Sequence, residues 1–241
     1  MTGLRPVAVT GFEGTKNERN LRTGCKSGQF AIEMITLENG GIIKSIHGGL
    51  YENSIWYSVY GSKGRMECPR EDADAGHIDR IYIRSDKVSG EYKETFENYE
   101  PKRELDYLCD GYGHGGSDFY SMYHFVEKIK GNPEADTIDV YEALDMFLPG
   151  LFGYFSILEG GKSMEIPNLR NKAEREAWRN HTACTDPKAA GDMLLPTFSK
   201  GTPDIEDGVY DYMKKLWEIE QTKTDNNYRA AVFNQGKKKE E

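Results

Sequence analysis

Residues 30–48 read FAIEMITLENGGIIKSIHG, and this stretch decides the fold. Phe30, Ile32, Met34 and Thr36 recur at every second position, which indicates a β-strand with these side chains on one face. Residues 38–41 (ENGG) are a hairpin signal because Asn and Gly tolerate a positive φ angle. The isoleucines that follow at 42, 43 and 46 continue the pattern. The stretch therefore predicts two antiparallel strands joined by a tight turn.

More strands are predicted on either side of this hairpin. Residues 7–12 (VAVTGF) read as a strand before it, and residues 55–60 (IWYSVY) read as a strand after it. The turn GSKG at 61–64 leads into a further short strand at 65–68, so the region predicts an antiparallel meander. Two more strands are expected at 78–83 and 92–96, within a polar region that we take as an insertion around residues 69–111.

Helices dominate the sequence after residue 117. The apolar spacing predicts helices at 117–131, from a cap at Thr137 or Asp139 to about 158, at 172–179 and at 205–219, with a short strand at 164–167. We expect an α+β fold with an open, mostly antiparallel mixed β-sheet and helices on one face. Residues 1–225 are expected to form this domain, and residues 226–241 a flexible tail.

Composition and charge limit the possible partners. The net charge of -9 over 241 residues argues against a nucleic-acid or anionic-membrane surface. No apolar run is long enough to predict a transmembrane helix. The four cysteines are far apart and form no C-x-x-C pair, which favours reduced thiols and a cytoplasmic location.

Residues 111–118 (GYGHGGSD) match the dinucleotide-binding pattern G-x-G-x-x-G. That site requires an apolar strand before the glycines and a βαβ unit around them. The preceding residues 103–110 (RELDYLCD) are charged instead, so we interpret the match as accidental and predict no cofactor site in this chain. Ser117 or Asp118 is expected to cap the helix that follows.

Three histidines are candidates for a site, and each has a structural alternative. His114 in the glycine loop either lines a site or only bonds to the backbone, and His124 is more simply a helix-surface residue. His47 precedes Gly48-Gly49, which favours a cleft, although a structural hydrogen bond explains it equally. Asp106 and Asp110 are read as solvated charges. No metal-ligand spacing is present, so no metal is predicted.

Four segments together resemble the C-terminal domain of the Gfo/Idh/MocA oxidoreductases, and within that group the relatives of the NAD-dependent α-N-acetylgalactosaminidases. They are residues 30–40 (FAIEMITLENG), Ile46-His47 with residues 57–64 (YSVYGSKG), residues 114–119 (HGGSDF), and residues 139–143 (DVYEA) with 161–167 (GKSMEIP). The likeness covers most of residues 5–168.

The resemblance implies a substrate wall formed by His47, His114, Gly115, Gly116 and Asp118. The two histidines would orient sugar hydroxyls, and Asp118 would cap the helix or accept a hydroxyl. The family holds NAD(P) in a preceding Rossmann domain, so no catalytic or cofactor residue is carried over to this chain. One face of the family's sheet often forms an oligomer interface, which implies a homo-oligomer.

The expected function is therefore that of a substrate-binding and oligomerisation domain of a sugar-type NAD(P)-dependent oxidoreductase, or of a related NAD-dependent glycosidase, lacking its cofactor domain. Alone it is expected to be inactive. The glycosidase-type members have Asp and a P-R-P-Y segment after the strand histidine, where this chain has GGLY at 48–51, so the sugar stays open. The alternative is a non-enzymatic domain that uses the open sheet to bind protein partners.

Overall fold

The computed structural model describes residues 3–16, 21–48, 57–62, 64–67, 84–85, 102–109 and 111–237, and all structural statements concern these residues. They fall into two compact units, one formed by residues 1–50 with 139–241 and the other by residues 51–138. The strands are β1 (Pro6–Glu13), β2 (Phe30–Leu37), β3 (Ile42–Gly48), β4 (Ser58–Gly61), β5 (Gly64–Glu67), β6 (Arg84–Ser85) and β7 (Met164–Glu165). The α-helices are α1 (Ser117–Ile129), α2 (Val140–Leu158), α3 (Lys172–Trp178), α4 (Pro187–Ala190) and α5 (Asp207–Lys237).

The first unit is built on a four-stranded antiparallel sheet in the order β3-β2-β1-β7. The predicted hairpin joins β2 to β3. Gly40 adopts a φ of 83°, and the Asn39 side chain accepts a hydrogen bond from the Gly41 N–H at 2.9 Å. This local chemistry sets the register, in which Ile35 pairs with Ile43 and Ala31 pairs with His47.

Helix α2 covers one face of this sheet and forms the core with it. Val9, Ile35 and Leu37 of the sheet are buried against Leu148 and Phe152 of the helix. Of the two predicted caps, Thr137 and Asp139, it is Asp139 that begins the helix. Its carboxylate accepts hydrogen bonds from the N–H groups of residues 141 and 142, and the Glu142 side chain accepts from the Asp139 N–H. The helix continues through Pro149 to Leu158.

Two glycines let the helix approach the sheet closely. A Cβ atom on Gly11 of β1 would lie only 2.3 Å from the carbonyl oxygen of Gly153 in α2. Beside this contact, the fully buried Ser156 accepts a hydrogen bond from the Gly11 N–H at 2.9 Å and donates one to the Lys162 carbonyl. One serine therefore joins β1, α2 and the turn that follows the helix.

The opposite face of the sheet is not covered by α2. Because side chains alternate along a strand, Met34 points away from the face that buries Ile35. The strand register places Phe12, Ile42 and Ile46 on the same open face as Met34. These three side chains are about half exposed or more. The first unit thus presents one packed face and one apolar face.

The second unit contains a small antiparallel sheet in the order β4-β5-β6 and helix α1. The GSKG turn joins β4 to β5, as the sequence predicts, with Gly61 paired to Gly64. The structure places these strands in a sheet separate from the hairpin, and not in one continuous meander. The strands predicted at 78–83 and 92–96 lie outside the described residues.

The predicted α+β class is confirmed, with helices and an open antiparallel sheet of four strands. Helix α5 runs to Lys237 and so includes residues 226–237, which the sequence assigned to a tail. The helix was predicted to end at Ile219 because the apolar spacing weakens after that residue. Within the described part, no helix is both long and apolar enough to cross a membrane.

Candidate functional site

The loop at 113–118 carries four of the five predicted site residues. His114, Gly115 and Gly116 form a short 3-10 turn, and α1 begins directly after it at Ser117. Gly116 adopts a left-handed φ of 88°, where a Cβ atom would also lie 2.6 Å from the Cβ of Cys109. Glycine is therefore required at this position for both conformation and space.

His114 and Asp118 form a pair at the surface of this loop. The His114 Nδ1 lies 3.0 Å from one carboxylate oxygen of Asp118 and 3.1 Å from the other. A carboxylate only accepts hydrogen bonds, so Nδ1 carries the proton and Nε2 is left for another partner. The imidazole is 83% exposed. The pair therefore presents an oriented histidine to solvent. A histidine that binds a ligand or exchanges protons must be accessible in this way.

The backbone around the pair is unusual. His114 has a φ of 53°, and among the described residues it alone adopts a positive φ without being glycine. Such a conformation costs on the order of 1–3 kcal/mol and persists only where neighbouring contacts hold it. Gly113 leaves room for the Asp118 carboxylate beside His114, because a Cβ atom there would lie 2.5 Å from it.

The prediction that Ser117 or Asp118 caps α1 is wrong. The N-cap position is Gly116, and no side chain bonds to the free N–H groups of the first turn. The Ser117 hydroxyl donates to the His114 carbonyl at 2.8 Å, and the Asp118 carboxylate is occupied by His114. Both side chains therefore bond within the loop and not to the helix.

A second polar cluster, which the sequence did not reveal, fixes the segment before the loop. The Asp106 carboxylate accepts from the Arg103 N–H at 2.8 Å and from the Tyr120 hydroxyl at 3.0 Å. The backbone bond from Arg103 is the main reason that the pKa of Asp106 lies below its usual value. The Arg103 guanidinium also lies 3.6 Å from the centre of the Tyr120 ring. The Asp106 side chain is exposed, as predicted for a solvated charge, and it also has a structural role through these hydrogen bonds.

His124 has a structural role. Its Nδ1 accepts a hydrogen bond from the Asp136 N–H at 3.1 Å, and its ring packs against Tyr120 and Tyr123. The bond fixes the segment after α1 onto the helix. His124 is therefore a suitable control residue for His114 in the same unit.

His47, the fifth predicted residue, lies in the first unit near the end of β3. Its Nε2 lies 2.6 Å from the Ser45 hydroxyl oxygen, and its side chain is exposed. It lines a cleft of about 480 Å³ between the ends of the strands, the last turns of α2 and a later loop. The other polar residues that line this cleft include Glu13, Lys26, Ser27, Thr185 and Thr197.

Two groups in this part of the first unit have raised pKa values. Glu33 lies under α2, and its burial raises its pKa, an effect that His47 partly opposes. Burial, with a smaller contribution from Glu13, raises the pKa of Tyr154 to about 12. Tyr154 is therefore neutral at physiological pH, and its hydroxyl donates to the Pro196 carbonyl.

The structure groups the predicted residues in two places. His114, Gly115, Gly116 and Asp118 lie together in the second unit, and His47 lies in the first. That the two places meet in one site stays a prediction. Sequence reasoning missed Glu13, Glu33 and Tyr154, whose partners are distant along the chain. The only local signal was that Glu33 occupies the strand face that also carries Ile35 and Leu37.

No strand precedes the glycine loop within residues 102–109. The residues before it, 102–109, form turns and a 3-10 segment at Asp106–Leu108, where a pyrophosphate site needs a buried parallel strand. Gly116 is required by its contact with Cys109 and not by the approach of a ligand. Among the described residues, no group of three or more His, Cys, Asp or Glu is arranged to hold a metal ion.

A curated relative, a glycosyl hydrolase family 109 protein of Streptomyces coelicolor, is 29% identical over 148 residues, which are 56% of this chain and 29% of that protein. Similar solved structures include the aldose-aldose oxidoreductase of Caulobacter crescentus complexed with glycerol (19% identity, TM-score 0.45, 68% of this chain and 42% of that one). Levoglucosan dehydrogenase in complex with NADH and L-sorbose is another (13% identity, TM-score 0.47, 69% and 47%).

The chain thus spans less than half the length of each of these proteins. The match to a protein family is more extensive, because the family described as glycosyl hydrolase 109, C-terminal domain, matches residues 3–178. This chain therefore belongs to the glycosyl hydrolase 109 C-terminal domain family, a C-terminal domain of the Gfo/Idh/MocA type.

Proposed function

We propose that this chain is the substrate-binding and oligomerisation domain of a sugar-type NAD(P)-dependent enzyme. The observation that carries the proposal is the exposed His114–Asp118 pair, held in an unfavourable backbone conformation by a glycine loop. Strain of this kind is concentrated at functional sites. Family membership supports a sugar as the substrate class, and the spacing of the cysteines supports a cytoplasmic location.

In this role, His114 binds a sugar hydroxyl through Nε2. Asp118 holds Nδ1 and keeps the ring in one orientation, which a freely rotating histidine would not have. NAD(P), when bound to a complete enzyme of this kind, supplies hydride transfer. Residues 111–118 do not hold it, because they lack the strand that a pyrophosphate site requires. The part played by this chain is to bind and orient the sugar.

Ligand-detected NMR on the full chain tests the proposal. N-acetylgalactosamine, galactose and glycerol are titrated against the wild type, His114→Ala and His124→Ala. We expect the His114 variant to weaken sugar binding at least about fivefold, as the loss of one hydrogen bond predicts, and the His124 variant to bind normally if it folds. Equal affinity of the wild type and His114→Ala would refute the role of the loop.

Cofactor binding is tested in the same preparation. We expect no saturable binding of NADH or NADPH to the chain in calorimetric titrations up to millimolar concentration. A dissociation constant in the micromolar range, together with its loss in a Gly113→Ala variant, would show that the glycine loop is a dinucleotide site after all.

The alternative function is a non-enzymatic domain that binds through its sheet. The observation in its favour is the apolar open face with Phe12, Ile42 and Ile46 exposed. Exposed apolar surface of this kind is typical of interaction sites. We propose that a second copy of the chain covers this face, and light scattering tests it. A monomer at tens of micromolar that binds no sugar would favour the alternative function with a different protein partner.

A further inference from the structure

Residues 179–237 lie beyond the part of the chain that the family matches. Much of this extension packs onto the first unit. Phe198 and Ile205 are buried, and residues 184 and 194 pair in a short bridge that folds the segment back on itself. The Thr182 hydroxyl fixes the same fold by donating to the Ala190 carbonyl at 2.9 Å. The extension is thus a folded part of the unit that carries His47.

Three hydrogen bonds attach residues 196–199 to the rim of the cleft beside His47. The Tyr154 hydroxyl donates to the Pro196 carbonyl, and the Thr197 hydroxyl donates to the Lys26 carbonyl at 3.1 Å. The Ser199 N–H donates to one oxygen of the Glu13 carboxylate at 3.0 Å. Each bond joins the extension to a residue within the family match, and Thr185 and Thr197 themselves line the cleft.

We propose that this extension forms one wall of a monosaccharide-sized binding cleft beside His47, and that Glu13 and Thr197 determine which sugar the cleft accepts. The proposal rests on the sugar-binding function proposed above. It goes beyond that function in two ways. It adds a wall from residues that lie outside the family match, and it names the residues that select the ligand.

The chemistry of the cleft is suited to a neutral polyhydroxy compound. Its volume of about 480 Å³ lies within the range of small-molecule sites. Glu13 uses one carboxylate oxygen for Ser199, and the other remains able to accept from sugar hydroxyls. Phe30 and Ile157 add apolar surface for the C–H groups of a sugar ring. Glu13 and Lys26 carry opposite charges, so the wall favours a neutral sugar over a sugar acid.

The cleft is also rigid where it meets the ligand. Tyr154 is neutral, and its hydroxyl already donates to the extension, so it serves as a fixed wall. A Cβ atom on Gly28 would lie 2.6 Å from the Glu13 Cγ, so this glycine allows the glutamate to adopt its position. A pre-formed wall of this kind reduces the entropy lost on binding.

Saturation-transfer NMR with the full chain tests the proposal, with galactose, N-acetylgalactosamine, galacturonate and glycerol as probes. Glu13→Gln removes the charge but keeps an acceptor for Ser199, and Thr197→Val removes only the hydroxyl. Glu165→Gln changes a strand glutamate outside the cleft lining and serves as the control. Thermal melting confirms that each variant is folded.

We expect the wild type to bind a neutral sugar more tightly than galacturonate. Glu13→Gln should raise the dissociation constant of the neutral sugar at least about tenfold, and Thr197→Val about threefold or more, whereas Glu165→Gln should leave it unchanged. An unchanged constant in both folded cleft variants, or no saturation transfer from the wild type to any probe, overturns the proposal.

The results separate this inference from the role of the glycine loop. Binding that is lost in Glu13→Gln but kept in His114→Ala supports the cleft and refutes the loop as the sugar site. Binding that is lost in His114→Ala but kept in both cleft variants refutes the cleft and leaves the proposed function intact.

Discussion

Replacing Ser156 with alanine should destabilise the first unit strongly. Ser156 is completely buried in α2, where its hydroxyl accepts from the Gly11 N–H at 2.9 Å and donates to the Lys162 carbonyl. Strand β7 pairs only with Ala8 and Val9, so Gly11 lies beyond its end. Ser156 satisfies the N–H group that the short strand leaves without a partner.

The magnitude follows from the groups that the substitution leaves unpaired. A buried backbone donor without a partner costs about 1–3 kcal/mol, and Ser156→Ala leaves the Gly11 N–H in this state. The Lys162 carbonyl is only partly buried, so its lost hydrogen bond costs about 0.5–1.5 kcal/mol. Alanine returns about 0.5 kcal/mol through its higher helix propensity. We therefore expect a loss of about 1–4 kcal/mol, a large share of the 5–15 kcal/mol that typically stabilises a protein.

Urea unfolding followed by tryptophan fluorescence measures this loss. Trp178 reports on the first unit, because its ring centre lies 5.0 Å from that of Phe152 in α2. Thr222→Ala is the control, since Thr222 is also helical in the first unit and donates to the Glu218 carbonyl at 2.9 Å, but is exposed. The control should stay within about 0.5 kcal/mol of the wild type. A loss below about 0.5 kcal/mol for Ser156→Ala, or an equal loss for both variants, would refute the reasoning.

Three further predictions concern the same sheet. Gly11→Ala should cost about 1–3 kcal/mol in urea unfolding, because its Cβ atom would meet the Gly153 carbonyl, whereas Gly208→Ala in α5 has open space and should not destabilise. Glu33→Gln should raise the melting temperature at pH 7 but barely change it at pH 4. Burial raises the pKa of Glu33 in the folded state. The contribution of Glu33 to stability is therefore complete below its pKa in the unfolded chain, and it is lost as the pH rises through its pKa in the folded chain. Ile46→Lys on the open face should shift the chain towards monomer in light scattering and leave its melting temperature within a few degrees, on the scale of about 1 kcal/mol.

The hairpin and the strand β7 could be predicted because their signals are local. The residues 38–41 specify the turn, and the alternation around it specifies the two strands. The sequence narrowed the start of α2 to a cap at Thr137 or Asp139, and the structure shows the capping box that Asp139 forms with Glu142. Elements of this kind depend on residues that are close together in the sequence, so the sequence alone is enough to predict them.

The electrostatics of the candidate sites could not be predicted in this way. Glu13 bonds to Ser199 across 186 residues, and Ser156 bonds to Gly11 across 145. Asp118 was expected to cap the helix because its position favours that role. The left-handed turn at Gly116 instead brings His114 within reach of the Asp118 carboxylate. The hydrogen bond between them is charge-assisted when the imidazole is protonated, and it competes with capping of the helix.

The alternation of the central sheet separates the two proposed activities. In the observed register, Glu13, Ala31 and His47 are cross-strand neighbours on the face that α2 covers. Ile46, one residue before His47, therefore belongs to the opposite, open face. A substitution on one face leaves the side chains of the other in place. Substitutions can therefore abolish sugar binding beside His47 without affecting association through the open face, and the reverse. Variants of the two kinds distinguish a domain with both functions from one that uses its sheet for protein contacts alone.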